Sequence, residues 1–218
     1  MRISGAIGMA LGVALIALGG CGGKTAPVDT KASTILQRSP VTARTLDLDP
    51  GPFLWHQGDQ WEYSDGYALQ VTRVEGEVAT LTRMDRKDEW MQRRSLFREG
   101  YRSGKGERKV IYRSADPYTL FPLQTGKSVE FNREFMQDQK LQVHKTSWIV
   151  LGQETVQVPA GRYDCWVLLW RSESLHSDWT GEEKLWYSPL VGNFVRMEFQ
   201  YGNAPASSRV LMKYRKIK

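Results

Sequence analysis

The chain has 218 residues, with 30 Lys and Arg against 24 Asp and Glu, a net charge of +6 and a sequence pI near 9.3. Only two cysteines are present, Cys21 and Cys165, which excludes a disulfide-stapled scaffold and leaves packing, well supplied by eight tryptophans, to stabilise the fold. Three histidines (His56, His144, His176) stand at no zinc-ligand spacing, and neither a Gly-x-Ser-x-Gly elbow nor a phosphate-binding glycine loop occurs, so the common enzyme signatures are excluded.

In chain order, Arg2 and the apolar run Ile7–Leu18 have the layout of a secretory signal. The run is too short and glycine-rich for a membrane span, which needs ~20 apolar residues. Leu18-Gly19-Gly20-Cys21 resembles a bacterial lipobox. That resemblance implies removal of residues 1–20 as a lipoprotein signal peptide. It also implies a diacylglyceryl thioether on Cys21, with a further acyl chain such as palmitate on its amine. No other cofactor is implied. Several chains anchor persistently where one, at ~0.8 kcal/mol per buried methylene, is marginal. The alternative is an ordinary cleaved signal in which Cys21 is incidental.

Residues 21–50 are rich in Gly, Ser, Thr and Pro without apolar periodicity, and read as an acylated flexible tether. About 28 such residues span ~30 Å on average. Gly22, in place of an aspartate, resembles the sorting pattern of enterobacterial lipoproteins bound for the outer membrane. The expected location is therefore the outer membrane, facing the periplasm, with the inner membrane and cell surface as alternatives.

From Gly51 the pattern is β throughout, and 51–218 reads as one periplasmic β domain. Strands are predicted near 59–64, 67–75, 77–84, 89–97, 107–113, 127–135, 139–151, 154–158, 161–172, 183–188, 193–201 and 207–216. With no helical stripe to serve crossovers, the fold class is all-β: an antiparallel meander forming a curved sheet, an open barrel or a two-layer domain. Halves 51–119 and 120–218 echo each other, Gly58–Tyr63 against Gly126–Phe131 and Leu69-Gln70-Val71 against Leu141-Gln142-Val143, with Leu120–Leu123 as hinge.

Pro159-Ala160-Gly161 predicts a tight turn between paired strands. The returning strand carries Tyr163, Cys165 and Val167 on one face and Trp166, Leu168 and Trp170 on the other, so it is expected to be covered on both sides or to line a cavity. Cys165 reads as a small core residue rather than a reactive thiol. Asn193–Tyr201 predicts a half-solvated strand, with Val195, Met197, Phe199 and Tyr201 facing in. Gly152–Val156 running into Val158–Tyr163, then Leu185–Gly192, together with Leu120–Lys127, resembles bacterial envelope β-sheet families of the TapB-like sort. The resemblance covers mainly 118–200; it implies a β-sheet fold and brings no catalytic residues with it.

Between Arg83 and Arg113 eleven basic residues face five acidic ones. Arg93, Arg94 and Lys109 are candidates for an anionic partner, such as anionic lipid or an acidic polysaccharide. The same residues are also what blunted strand edges contain. Nucleic acid is excluded by compartment. Trp148, Trp166, Trp170 and Trp186 are candidate ligand-binding platforms or, alternatively, core. Asp178, Glu182 and Glu183 beside His176 read as a solvated loop rather than a metal site, and neighbouring Glu182 and Glu183 point to opposite faces of a strand. The sequence thus predicts no catalytic residues and no enzyme. It predicts a membrane-anchored binding or assembly module with an envelope protein partner or, as the alternative, a lipid- or glycan-binding carrier with an aromatic-lined cavity.

Overall fold

The computed structural model describes residues 46–217 apart from 105 and 138; the signal peptide, Cys21 and the tether up to residue 45 lie outside the described residues. The strands are β1 (Gln60–Tyr63), β2 (Ala68–Glu75), β3 (Val78–Arg83), β4 (Trp90–Arg94), β5 (Phe97–Ser103), β6 (Gly106–Lys109), β7 (Ile111–Arg113), β8 (Ser128–Gln137), β9 (Lys140–Val158), β10 (Gly161–Ser174), β11 (Thr180–Ser188), β12 (Asn193–Tyr201) and β13 (Ser207–Arg215). Among the described residues one short 3-10 helix, Pro117–Leu120, is capped by the Asp116 carboxylate. The strands make a single antiparallel sheet in the order β6-β5-β4-β3-β2-β1-β13-β12-β11-β10-β9-β8-β7. The all-β antiparallel expectation is what the structure shows.

The topology itself curls the sheet. Its two edge strands, β6 and β7, are separated in the chain by Val110 alone, so the edges must meet and the sheet becomes a nearly closed barrel. No ladder joins β6 to β7 in that order. Side chains close the seam instead: the Tyr112 hydroxyl donates to the Arg98 carbonyl at 2.6 Å, and the Arg108 guanidinium lies 5.9 Å from the Phe135 ring centre.

Several strand boundaries differ from expectation. The predicted strand 89–97 is two strands, β4 and β5, turned at Ser95 (φ 51°), with Arg94 paired to Phe97. The predicted strand 107–113 splits at Val110 into the two edges. The predicted strands 139–151 and 154–158 are one 19-residue strand, because Gly152 (φ 151°) marks a bulge at Leu151 rather than an end. A bulge at Val195 breaks alternation in β12: Trp186 pairs with Arg196 and Tyr187 with Phe194. Val195 therefore packs in a different core cluster from Phe194, which corrects the expectation that it shares a face with Met197.

Two buried clusters hold the barrel. The first gathers Trp61, Val71, Leu81, Cys165, Val167 and Trp186; the second gathers Phe97, Leu120, Phe131, Val150, Leu168 and Leu185. Strand β10 contributes to both, Cys165 and Val167 to one and Trp166, Leu168 and Trp170 to the other. The stretch before β1 is pinned across the domain. The Leu46 amide donates to the Gln153 side chain, Trp166 Nε1 to the Asp49 carbonyl at 3.1 Å, and Trp55 Nε1 to the Gly192 carbonyl at 2.8 Å.

The Pro159–Ala160 turn joins β9 to β10, with Val158 paired to Gly161. Gly161 has φ +138°, a conformation side chains rarely adopt, and a Cβ there would sit 3.0 Å from the Tyr163 hydroxyl. Gly161→Ala is expected to cost ~1–3 kcal/mol in urea unfolding. A cost within 0.3 kcal/mol of zero would show that this turn is not strained as described.

Candidate ligand cavity

The barrel holds a partly open cavity of about 600 Å³, within the ~300–1,000 Å³ common for ligand sites. Side chains from nearly every strand reach it. On β8, Phe131, Arg133 and Phe135 alternate inward. Met91 and Arg93 do so from β4, Thr146 and Trp148 from β9, and Met197, Phe199 and Tyr201 from β12. The seam adds Arg98, Tyr101, Arg108 and Tyr112.

The lining is aromatic and cationic together. Five arginines (Arg93, Arg98, Arg108, Arg133, Arg209) and one carboxylate, Glu183, face the space. Arg93 is buried; its Nη2 donates to the Leu96 carbonyl at 3.2 Å, and its guanidinium lies 5.4 Å from the Trp55 ring centre. Burial first, then the neighbouring Arg98 charge, lowers its pKa to about 10, so it remains charged at neutral pH. Arg133 is held down by the same two causes in the same order. It lies over Phe135 and Trp170 at 5.6 and 5.5 Å, half-buried in the cavity wall.

Arg209 pairs with Asp65 at 2.9 Å, whereas Glu183 accepts from the Tyr201 hydroxyl; burial, then the Glu183 charge and this bond, push the Tyr201 pKa up. Among the described residues Arg108 Nε and Nη2 and Arg133 Nε have no hydrogen-bond partner.

His144 sits on the same wall, buried between Phe135 and Trp179 (ring centres 5.1 and 4.8 Å) with Arg133 Nη2 at 3.4 Å from Nδ1. Burial, then Arg133 and His176, lowers its pKa from 6.5 to about 4. The ring is neutral at neutral pH in both folded and unfolded states. As pH falls from 6.5 toward 4, the unfolded chain takes up a proton that the folded one resists, so stability is lost across that window. His144→Gln is expected to fall less steeply in unfolding free energy than the parent between pH 6.5 and 4. Parallel curves would contradict the burial of a neutral ring.

Of the residues singled out from sequence, Trp148, Trp170 and Arg93 face the cavity. Trp166 and Trp186 do not: their indoles bond the Asp49 carbonyl and the Glu154 carboxylate within the two core clusters. Arg94 turns away from the cavity to pair with Glu99 at 3.2 Å and cover the Tyr118 ring, and Lys109 is exposed on β6. Glu182 and Glu183 do point apart, Glu182 to Arg171 on the outside and Glu183 inward. His176 and Asp178 are exposed, and no group of metal-ligating side chains forms among the described residues. Cys165 is a free, fully buried thiol whose pKa burial drives well up.

Arg98, Arg108, Arg133 and Arg209 escaped the sequence reading of the site. A signal was present for Arg133: in Phe131-Asn132-Arg133-Glu134-Phe135 it occupies the apolar face of an alternating strand.

No protein-family model matches the chain, and no curated protein matches it. Among solved structures it is similar to the hypothetical lipoprotein YmcC from Escherichia coli, with TM-score 0.50, 11% identity, and coverage of 73% of this chain and 85% of that one. It also matches a protein from Bacteroides fragilis described as exported, with a YmcC-like fold (TM-score 0.42, 14% identity, 76% and 99% covered). A third match is a protein from Parabacteroides distasonis described as a lipoprotein (TM-score 0.40, 17% identity, 75% and 97% covered). The similarity to YmcC is one of fold alone.

Proposed function

We propose that the protein is an envelope lipoprotein, anchored through lipid on Cys21 to the outer membrane and facing the periplasm, that binds a ligand non-covalently in its barrel cavity without transforming it. The carrying observation is the cavity itself, about 600 Å³ walled by aromatic rings and guanidiniums, where side chains of the second core cluster such as Phe97, Phe131, Trp148 and Trp170 border open space. Support for a non-catalytic role comes from the titratable groups present: His144 is neutral and wedged between rings, and Glu183 is engaged by Tyr201. Support for the anchor comes from the lipobox-like Leu18–Cys21 segment, and the YmcC-like fold is consistent with an envelope protein.

The test is occupancy. Tryptophan fluorescence should respond to a binding ligand, because Trp148, Trp170 and Trp179 line the space. A panel of oligosaccharides and phospholipid micelles should include at least one that shifts emission saturably. The response should vanish when Thr146→Trp fills the cavity. A saturable response that survives that substitution would place binding elsewhere and overturn the reading.

A second reading, docking of an envelope protein, draws on the β8–β9 hairpin tip. There Met136 and Leu141 are paired across the strands and exposed, with Leu175 close by.

A further inference from the structure

The cavity's charge defines the class of its ligand, an inference that rests on the cavity being the binding site. We propose that it takes an acidic oligosaccharide, whose carboxylates are held by Arg98, Arg108 and Arg133 beside the barrel seam and whose rings lie against the aromatic wall.

Three observations carry this. First, five guanidiniums meet one carboxylate, and that carboxylate is already engaged by Tyr201. Arg108 is 8% exposed, yet two of its nitrogens have no partner among the described residues; its Nη1 donates to the Tyr101 hydroxyl at 2.8 Å. Buried charge without an opposite charge is costly, and an incoming oxyanion supplies what is missing. Guanidiniums present paired N–H donors that fit carboxylate bidentately.

Second, the arginines converge from two ends of the sheet. Arg98 and Arg108 come from β5 and β6 and Arg133 from β8, across the seam where no backbone ladder joins the edges. The backbone thus brings positive charge from both edges to the seam that no ladder closes.

Third, the lining does not suit an acyl chain. Between the rings stand the guanidiniums together with Gln142, Ser174 and Asn193, and a hydrocarbon would leave those donors unpaired at ~1–3 kcal/mol each. Sugars present hydroxyls to such groups and C–H faces to rings. Trp179 and Tyr201, nearly parallel at 10° with centres 6.5 Å apart, and Trp170 against Tyr201 form a wall of that kind.

The experiment is calorimetric titration of the full-length protein in detergent with three acidic trimers, of galacturonate, mannuronate and glucuronate–N-acetylglucosamine type. Each is matched by its carboxyl-reduced neutral form, with inorganic phosphate and phosphatidylglycerol micelles as further arms. The proposal expects at least one acidic trimer to bind at least tenfold more tightly than its neutral form, with affinity falling as salt rises. Arg98→Gln and Arg133→Gln should each lose about tenfold, the order of one charge-assisted hydrogen bond. Arg133→Lys should lose less, and Arg94→Gln, which turns away from the cavity, should be unchanged. If a variant loses its native circular dichroism, the salt dependence and the acid-to-neutral ratio of the parent protein still decide.

Equal binding of acidic and neutral trimers would overturn the acidic assignment while leaving the cavity as a glycan site. Phosphate or phosphatidylglycerol binding in place of every trimer would overturn the glycan assignment and leave an anion site. Absence of binding by all arms would overturn both this inference and the cavity reading on which it rests.

Discussion

Arg98→Gln is expected to make the empty protein more stable by about 1 kcal/mol, the scale of a like-charge interaction in a partly solvated site. The reason lies in its neighbours. Arg98 is the largest charge effect acting on both Arg93 and Arg133, and in each case it lowers the pKa, which is the signature of like-charge repulsion. Arg98 itself makes no ion pair among the described residues and rests 5.2 Å from the Tyr101 ring centre. Removing it relieves the buried Arg93 and the half-buried Arg133 and breaks no charge pair among the described residues. Urea unfolding of wild type and variant checks this, and the difference should shrink as salt screens the repulsion. A loss of stability on neutralisation would contradict the repulsion and mean that Arg98 is structural. Gain in stability with loss of affinity is what a binding site maintained against the interest of the fold must show.

Trp61→Ala stands at the opposite pole and is expected to cost ~4 kcal/mol, at the upper end for large-to-small core substitutions. Trp61 is 0% exposed at the centre of the first core cluster. Its Nε1 donates to the Val191 carbonyl at 3.1 Å, and its ring meets Trp55 edge-on at 6.4 Å. The substitution therefore removes a large apolar side chain, a buried hydrogen bond and an aromatic contact from the place where β1 joins the meander to β13. Against a typical domain stability of ~5–15 kcal/mol that is a large fraction. The cavity is lined by other residues, so a surviving folded fraction should bind ligand with unchanged affinity. A cost below ~2 kcal/mol would show that the first cluster is not the main core.

The contrast between these two residues shows what the sequence could reveal. Alternation and turn chemistry were legible: Pro159-Ala160-Gly161 specifies its hairpin, and the two apolar faces of β10 are both buried. Features without a local signature were not. The β4–β5 turn uses Ser95 in a left-handed conformation, where no glycine or proline announces it. Gly152 looks like a strand end and is a bulge, since nothing local distinguishes a glycine that terminates a ladder from one that kinks it.

The site was harder to read for a related reason. Arg93 and Arg94 are neighbours in a basic stretch, one inside the barrel and one turned away from its cavity, and period-two alternation assigns them to opposite faces without saying which face is enclosed. That assignment depends on β6 and β7 closing on each other, a long-range fact set by strand order and invisible in any single strand. The tryptophans divide for the same cause: Trp148 and Trp170 lie in the part of the second cluster that borders the cavity, whereas Trp166, in the same cluster, and Trp186, in the first, lie away from it.

The central claim, that the arginine-lined cavity is the ligand site, is tested most directly by native mass spectrometry of the full-length protein gently extracted from membranes, beside the Arg98→Gln/Arg133→Gln double variant. The account predicts a bound acidic-sugar mass on the wild type that is absent from the folded double variant. The same mass on both, or a wild type that is empty and stays empty when acidic oligosaccharide is added back, would contradict it.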